Sequence, residues 1–142
     1  MPQTFVKIII IGLLSGLGSV TWADVVVVVS EKSPIQALTS TQLTDIYLGR
    51  LTRLPEAGSV VPVDQVEQSN THHDFYQQYL GRTPAQIRAH WSRLIFTGRG
   101  QPPKAVESDA AMAEALRRNP SAIGYMDSET LPEGMRVIDI ES

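Results

Sequence analysis

The sequence predicts an α/β fold: a three-layer domain around a mostly parallel β-sheet. Five consecutive valines at residues 25–29 indicate a central strand, because an apolar run without alternation is typical of strands buried on both faces, as in a parallel sheet. Beyond them, short apolar stretches alternate with segments of helical spacing. Alternating strands and helices favour parallel strands with helices on both faces of the sheet.

Residues 1–23 are predicted to be a signal peptide and not part of the fold. Lys7 precedes an apolar run of 13 residues (8–20), which is followed by Thr-Trp-Ala. A spanning helix needs ~20 apolar residues, so we expect cleavage after Ala23 rather than a membrane anchor. The chain contains no cysteine, which excludes disulfides and a lipid-bearing cysteine. The prediction is therefore a protein exported to the periplasm, with residues 24–142 forming one domain.

The charge balance argues against nucleic-acid binding. Lys7 is the one charged residue of the first 23, so residues 24–142 carry 11 Lys and Arg against 15 Asp and Glu, a net charge of −4. No run of Lys or Arg occurs, and nucleic-acid affinity depends on such clusters. We therefore expect no nucleic-acid partner.

The first predicted elements after the valine strand are a helix and a short strand. Residues 38–49 have helical spacing, and Thr39 with Gln42 matches a capping box. A short strand over 60–63 contains Pro62, which favours an edge or a strand end.

The stretch at 68–81 is predicted to contain a helix of roughly ten residues, and two further helices are predicted after it. Thr83 caps the first of them, with Pro84 at its first position and Gln86 as the reciprocal partner. Its expected buried stripe comprises Ile87, Trp91, Leu94 and Ile95. Ser108 caps the second helix, which has Asp109 at its positive end. The remaining predicted strands cover 105–107, 122–126 and 136–140.

Ligands of open α/β sheets bind at the carboxyl ends of the strands. With right-handed crossovers, every loop that follows a strand is expected at one edge of the sheet. This expectation selects the loops at 30–34, 64–71 and 127–133 as candidates for a binding site.

The stretch QSNTHHDFYQQYLG (68–81) carries two adjacent histidines. On a helix His72 and His73 point about 100° apart, so one metal ion is not expected to bind both. His72 falls on the same side as Phe75 and Tyr76, which favours a first-turn histidine packed over an aromatic face; a ligand-facing role remains open. No Gly-x-Ser-x-Gly motif and no converging acid, base and nucleophile can be assembled, so we predict neither catalytic residues nor a metal or cofactor, and expect that the protein is not an enzyme.

The three polar residues before the histidines, Ser69, Asn70 and Thr71, follow a strand and open a helix. The first backbone N–H groups of a helix are unpaired and lie at the positive end of its dipole, so two hydroxyls and an amide there can hold a small oxyanion. The same residues also suit an ordinary N-cap, which requires only one of them. The triplet leaves both interpretations open.

Three segments together resemble one lobe of the periplasmic phosphate-binding proteins of ABC importers, which have the type II solute-binding fold. They are LTSTQLTDIYLGRLTRLPEAGSVVPVD (38–64), HWSRLIFTGRGQPPKAVESD (90–109) and NPSAIGYM (119–126). The resemblance extends over nearly all of 24–142 and is closest to the small, single-lobe members of that superfamily.

The resemblance implies a position for the binding site. In the two-lobed relatives an arginine and then Ser-Gly-Thr follow a strand, and the Ser-Gly-Thr opens a helix that grips phosphate. By position that motif falls on Ser69, Asn70 and Thr71, and the arginine falls on Gln65. An amide cannot neutralise a dianion as an arginine does, and Asn70 replaces a glycine. Ser33, which follows the first strand, is a further candidate contact.

Two functions follow from the resemblance. The first is a periplasmic substrate-binding-type protein that binds phosphate or a related oxyanion for ABC-type uptake or sensing, with an ABC permease as partner. The second is a ligand-free interaction module of the cell envelope that uses the same lobe. A single lobe leaves the site open on one side, so self-association or an envelope protein is expected to supply the other wall.

Overall fold

The structure is a computed structural model and describes residues 24–142; the predicted signal peptide lies outside the described residues. Within that range the strands, in chain order, are Val25–Ser30 (β1), Ala37–Thr39 (β2), Arg53–Leu54 (β3), Gly58–Ser59 (β4), Val61–Gln65 (β5), Lys104–Val106 (β6), Ala122–Asp127 (β7), Met135–Val137 (β8) and Asp139–Glu141 (β9). The α-helices are Ser40–Tyr47 (α1), Asn70–Phe75 (α2), Pro84–Phe96 (α3) and Asp109–Arg118 (α4). A π-helical segment, Tyr76–Leu80, continues α2, and a 3-10 turn, Ser128–Thr130, follows β7.

The main sheet has five strands in the order β6-β5-β7-β1-β8. β5 pairs in parallel with both β6 and β7, whereas β1 is antiparallel to β7 and β8. Four of the five strands therefore point the same way, which confirms the predicted α/β class with a mostly parallel sheet. Smaller two-stranded pairings join β2 to β9 in parallel and β3 to β4 as an antiparallel hairpin.

The valine strand β1 is central and buried, as expected, but it is not paired in parallel. Val25 lies opposite Asp127, and Val28 lies opposite Gly124. An unbroken apolar run indicates that both faces of a strand are buried. A central antiparallel strand between two helix layers is buried in the same way as a parallel one. The expectation that all the loops after strands share one edge is therefore wrong for 30–34, because β1 ends where β5 and β7 begin.

Helices cover both faces of the sheet. On one face α1, the helical segment from α2 to residue 80, and α3 pack against β1 and β7 through a cluster that includes Tyr47, Phe75 and Tyr125. On the other face α4 places Met112 and Leu116 in a second cluster. These are the three layers that the sequence predicts. None of the helices between residues 24 and 142 has the length and apolar character needed to cross a membrane.

The predicted helix starts are confirmed, because their hydrogen bonds are local. Thr39 and Gln42 form the expected capping box, as do Thr83 and Gln86, and Ser108 caps α4. Ile95 is a wrong prediction: this residue of the expected buried stripe of α3 is 54% exposed. The predicted strand at 136–140 is divided into β8 and β9 around the buried Ile138. Pro62 lies at the start of β5, which is an internal strand.

Candidate functional site at the carboxyl edge of the sheet

The carboxyl ends of β5, β6 and β7 meet at one edge of the sheet because these strands are parallel. Two helices begin at this edge: α2 after β5, and α4 after β6. The start of β1 lies at the same edge, where the carbonyl of Asp24 accepts a hydrogen bond of 2.8 Å from the N–H of Ser128. Two helix N-termini thus share the edge where ligands of such sheets bind.

Ser69 is the N-cap of α2, so one residue of the triplet has the ordinary capping role that the sequence left open. Its backbone is extended (φ −70°, ψ 132°), and its hydroxyl oxygen accepts a hydrogen bond of 3.3 Å from the N–H of His72. Asn70 and Thr71 are the first two helical residues, so their N–H groups precede the first intrahelical bonds. The Asn70 residue is exposed and Thr71 is partly exposed. The triplet therefore presents donors at the positive end of a continuous helical segment that reaches residue 80.

Gln65 connects the two helix starts. The residue is 3% exposed, and its side-chain amide oxygen accepts a hydrogen bond of 2.8 Å from the Ser69 hydroxyl. Its amide nitrogen donates to Oδ1 of Asp109 at 2.6 Å and to the backbone carbonyl of Tyr125 at 3.3 Å. A neutral amide thus bridges a hydroxyl on one helix and a carboxylate on the other.

Asp109 is the part of this edge that sequence reasoning did not assign to the site. It is the first residue of α4, and besides Gln65 it accepts hydrogen bonds from the N–H of Asp127 (3.2 Å) and the hydroxyl of Thr130 (2.6 Å). The donors that converge here therefore already hold a carboxylate supplied by the chain. Such a group repels a fully ionised anion and accepts a hydrogen bond from one that carries a proton.

The structure brings four of the five predicted ligand residues together and separates the fifth. Gln65, Ser69, Asn70 and Thr71 lie at the carboxyl edge. Ser33 follows β1 and lies at the opposite edge, because β1 is antiparallel. There its hydroxyl accepts a hydrogen bond of 3.1 Å from the N–H of Ile35, and its carbonyl accepts one of 2.9 Å from Arg136. Those bonds make Ser33 part of a turn.

A buried carboxylate lies directly beneath this edge and was not singled out from the sequence. Asp64 is 7% exposed; it accepts hydrogen bonds from the hydroxyls of Tyr125 and Tyr76 and one of 2.9 Å from the N–H of Gln65. Burial raises the pKa of Asp64, and the tyrosine hydrogen bonds counteract that increase. Burial also raises the pKa of both tyrosines. A single acid at the end of an otherwise apolar strand was the available signal, since such an acid requires buried donors.

His72 packs as the sequence analysis favoured. It is buried, its ring centroid is 4.5 Å from that of Tyr76, and Nε2 is 3.9 Å from Oδ1 of Asp64. Nδ1 is buried and has no hydrogen-bond partner within residues 24–142. Among those residues no group of three or more His, Cys, Asp or Glu side chains is placed to hold a metal ion. The helix of His72 contributes donors to the edge, while the histidine ring fills the interior.

The position of His72 predicts a loss of stability in acid. Burial lowers the pKa of His72 from 6.5; Asp64 and Glu67 oppose that shift, and His73 adds to it. The unfolded state then binds more protons, so this contribution to stability is complete above about pH 6.5 and is lost as pH falls towards the folded pKa. We expect His72→Phe to flatten the decline, because it keeps the ring on Tyr76 without the titrating group.

The measurement is the free energy of unfolding by urea at several pH values from neutral to mildly acidic. The control is His73→Phe, which replaces an exposed ring on the same helix; it should retain most of the wild-type decline, because His73 is the smallest of the influences on the His72 pKa. If wild type and His72→Phe decline in parallel, the pH dependence has another source.

The fold of the described residues is similar to part of several solved phosphate-receptor structures. No protein-family model matches the sequence, and no curated protein matches it. An ABC-type phosphate transport receptor from Vibrio cholerae matches the structure with a TM-score of 0.63 at 18% identity, covering 82% of this chain and 45% of that chain. A structure assigned to a phosphate ABC transporter substrate-binding protein from Clostridium perfringens, with bound phosphate, gives 0.63 at 18% identity, covering 82% and 44%. PstS from Borrelia burgdorferi gives 0.62 at 14% identity, covering 83% and 47%.

These matches confirm the resemblance at the level of the fold. The described chain has the architecture of one lobe of these receptors, and it spans somewhat less than half of their length. At such identities the similarity establishes the fold alone, so the ligand has to be argued from the residues at the carboxyl edge.

Proposed function

We propose that this protein is a substrate-binding-type protein that binds a small protonated oxyanion, with hydrogen phosphate as the best candidate. The observation that carries the proposal is the start of α2, where Asn70 and Thr71 present an amide, a hydroxyl and unpaired backbone N–H groups at the carboxyl end of β5. The Ser69 hydroxyl, which donates to Gln65 in this structure, turns to the anion when one binds. Gln65 adjoins them, as a positional counterpart of the arginine in the family motif.

Asp109 deepens the proposal by suggesting which oxyanion is preferred. At neutral pH phosphate carries a proton that it can donate to a carboxylate, whereas sulfate carries none. A site that contains Asp109 is therefore expected to prefer phosphate over sulfate. Because Gln65 adds no positive charge, we expect the affinity to be modest.

The direct test is calorimetry of the protein comprising residues 24–142, titrated with phosphate and separately with sulfate. We expect heat with phosphate, loss of that heat in a Ser69→Ala, Thr71→Ala double variant, and no loss in a Gln77→Ala, Gln78→Ala double variant. The latter pair is exposed further along the same helical segment. Phosphate binding that is unchanged by the first pair of substitutions would place the anion elsewhere.

Replacing Asp109 should broaden the specificity. Asp109→Asn keeps the size of the side chain and an acceptor for Thr130, but it removes the negative charge beside Gln65. We expect sulfate to bind about 1–3 kcal/mol more tightly, which is about fivefold to 150-fold. Calorimetry with sulfate measures this effect.

The matched control for that substitution is Glu107→Gln, which removes an exposed carboxylate that makes no side-chain hydrogen bond within residues 24–142. It should change sulfate affinity much less than Asp109→Asn does. Equal gains from the two variants would mean that only the general negative charge of this region matters.

A ligand-free interaction module of the cell envelope is the second candidate function, and one observation favours it. Ser69, Gln65 and Asp109 already satisfy one another's hydrogen bonds without any added group. The edge also carries further acids, Asp127 and Glu129, which suit a basic partner surface better than an anion. Absence of heat at millimolar phosphate, with the protein folded, would support this candidate against the first.

Both functions include export to the periplasm, with Asp24 as the mature N-terminus, and a partner such as an ABC permease, an envelope protein or a second copy of the chain. Mass spectrometry of the protein recovered from the producing cell tests the export step. Recovery of exported protein that still contains residues 1–23 would exclude cleavage after Ala23.

A further inference from the structure

A groove of ≈ 1120 Å³ runs along the outer side of β6, from the starts of β5 and β6 to the first turn of α4. Its floor includes Val61 and Pro62, at the start of the strand that ends in Gln65 at the carboxyl edge. One wall comes from α3 and the turn that follows it, and the other from α4. None of the four residues at the proposed oxyanion site lines this groove, so it is a separate surface.

The groove concentrates positive charge on an acidic protein. Its lining includes five cationic side chains and one acidic side chain, Glu114; the cations are Arg50, Arg93, Arg99, Lys104 and Arg118. Glu114 lies 3.2 Å from Arg118, and Asp45 lies 3.8 Å from Arg50. The other three cations make no ion pair within residues 24–142. Because those residues carry a net charge of −4, this positive region is local and selects for a partner with negative charge.

On the α3 side of the groove, the wall is apolar where the ring of Trp91 packs against two glycines, Gly49 and Gly100. The ring of Trp91 lies so close to Gly49 that a Cβ there would be 2.9 Å from Cη2, and a Cβ on Gly100 would be 3.9 Å from Cζ3. Gly49 also has φ 75°, a backbone conformation that other residues rarely adopt. The close approach of these two glycines lets the turn after α3 and the end of α1 pack on the tryptophan beneath the cations.

Next to the groove, α3 ends in exposed apolar residues. Phe96 is 93% exposed and Ile95 is 54% exposed, and both lie between Arg93 and Arg99 in the sequence. Large apolar side chains at such exposure, combined with unpaired arginines, are a typical composition of protein–protein contact surfaces.

The groove also runs beside an edge strand. β6 lies at one side of the five-stranded sheet and, within the described residues, pairs only with β5. The backbone N–H and C=O groups on its outer side are therefore available to a further strand. Extended peptides bind to sheet edges in this way, with backbone hydrogen bonds for affinity and side-chain contacts for specificity.

We propose that this groove binds an extended acidic peptide segment of a partner protein. The peptide lies along β6, its carboxylates contact Arg93, Arg99 and Lys104, and its apolar side chains pack against the wall formed by Trp91 and Leu94. A concave groove beside a strand edge fits an extended chain, whereas a membrane surface contacts flat or protruding regions. This inference does not depend on oxyanion binding at the carboxyl edge.

The test uses residues 24–142 and two short fluorescent peptides, one of alternating Glu and Leu and the other of alternating Lys and Leu. We expect the fluorescence anisotropy of the acidic peptide to increase when protein is added, and its affinity to decrease as salt is added. The basic peptide is expected not to bind. Equal binding of the two peptides, or no binding of the acidic one, would overturn the proposal.

Charge-reversal variants locate the binding surface. Arg99→Glu and Lys104→Glu are exposed substitutions, and each should weaken binding of the acidic peptide about tenfold. Lys32→Glu makes the same change of charge at an exposed turn outside the groove and should leave the affinity as in wild type. Unchanged binding by the two groove variants, with their folding confirmed by circular dichroism, would overturn the assignment.

Two further experiments distinguish the groove from the oxyanion site and from a membrane-binding surface. The Ser69→Ala, Thr71→Ala variant should bind the acidic peptide normally, and Arg99→Glu should leave the phosphate titration unchanged, so failure of either site can be recognised independently. Sedimentation with phosphatidylglycerol vesicles, compared with phosphatidylcholine vesicles, tests a membrane surface. Arg99-dependent binding to the anionic vesicles without binding of the acidic peptide would assign the groove to lipid and overturn the proposal.

Discussion

Asp64→Ala should lower the free energy of unfolding by about 3–5 kcal/mol, because several buried donors lose their acceptor and each costs about 1–3 kcal/mol when it is left unsatisfied. The substitution leaves the hydroxyls of Tyr76 and Tyr125 without their acceptor in the interior, and it opens a cavity between β5 and the helical segment from α2. Urea unfolding followed by circular dichroism measures the change.

The control for this variant is Asp139→Ala, which removes the same charge from an exposed position in β9. It should change stability by less than about 0.5 kcal/mol. A loss below about 1 kcal/mol in Asp64→Ala would mean that the tyrosine hydroxyls find other acceptors.

The same carboxyl has a defined pH dependence. Because burial raises the pKa of Asp64 above 3.8, the folded state binds a proton more readily than the unfolded state does. Its contribution to stability is therefore largest below about pH 3.8 and declines as pH rises through the folded pKa. This trend is opposite in sign to that of His72. The difference in the free energy of unfolding between wild type and Asp64→Asn, measured at several pH values, therefore isolates it.

Phe75→Ala should also lower the free energy of unfolding by about 3–5 kcal/mol, as is usual for removal of a buried aromatic side chain. Phe75 is fully buried; its ring stacks on that of Tyr125 with centroids 3.8 Å apart and meets the edge of Tyr47 at 4.8 Å. These contacts hold the helix that carries Ser69 and Thr71 against β7.

The measurement is again urea unfolding, with Gln77→Ala as an exposed control on the same helical segment, expected within about 0.5 kcal/mol of wild type. Because Phe75 does not lie at the carboxyl edge, phosphate affinity in the folded variant reports how precisely α2 must be positioned. A loss of less than about 1 kcal/mol would show that the aromatic cluster repacks around the cavity.

The groove and the candidate oxyanion site lie near opposite ends of β5, and they carry opposite charges. Acids gather at the carboxyl ends of β5, β6 and β7, and unpaired cations gather where β5 and β6 begin. This separation of charge offers two independently testable surfaces on one lobe, one for a small ligand and one for a peptide.

The sequence by itself determined what depends on neighbours along the chain. The caps at Thr39, Thr83 and Ser108 join residues three positions apart, and strand and helix alternate as their apolar spacing predicts. The start of α2 at Ser69 belongs to the same group. Only the tertiary structure decided the direction of β1, since burial of both faces is common to parallel and antiparallel central strands.

The direction of β1 in turn moved Ser33 to the far edge. The tertiary structure alone also decided what surrounds the candidate site, because those contacts join residues far apart in sequence: Gln65 meets Asp109 at a separation of 44 residues, and Asp64 meets Tyr125 at 61. Local spacing cannot specify such pairs, because they form only when the strands take their order in the sheet and bring the two helix starts together.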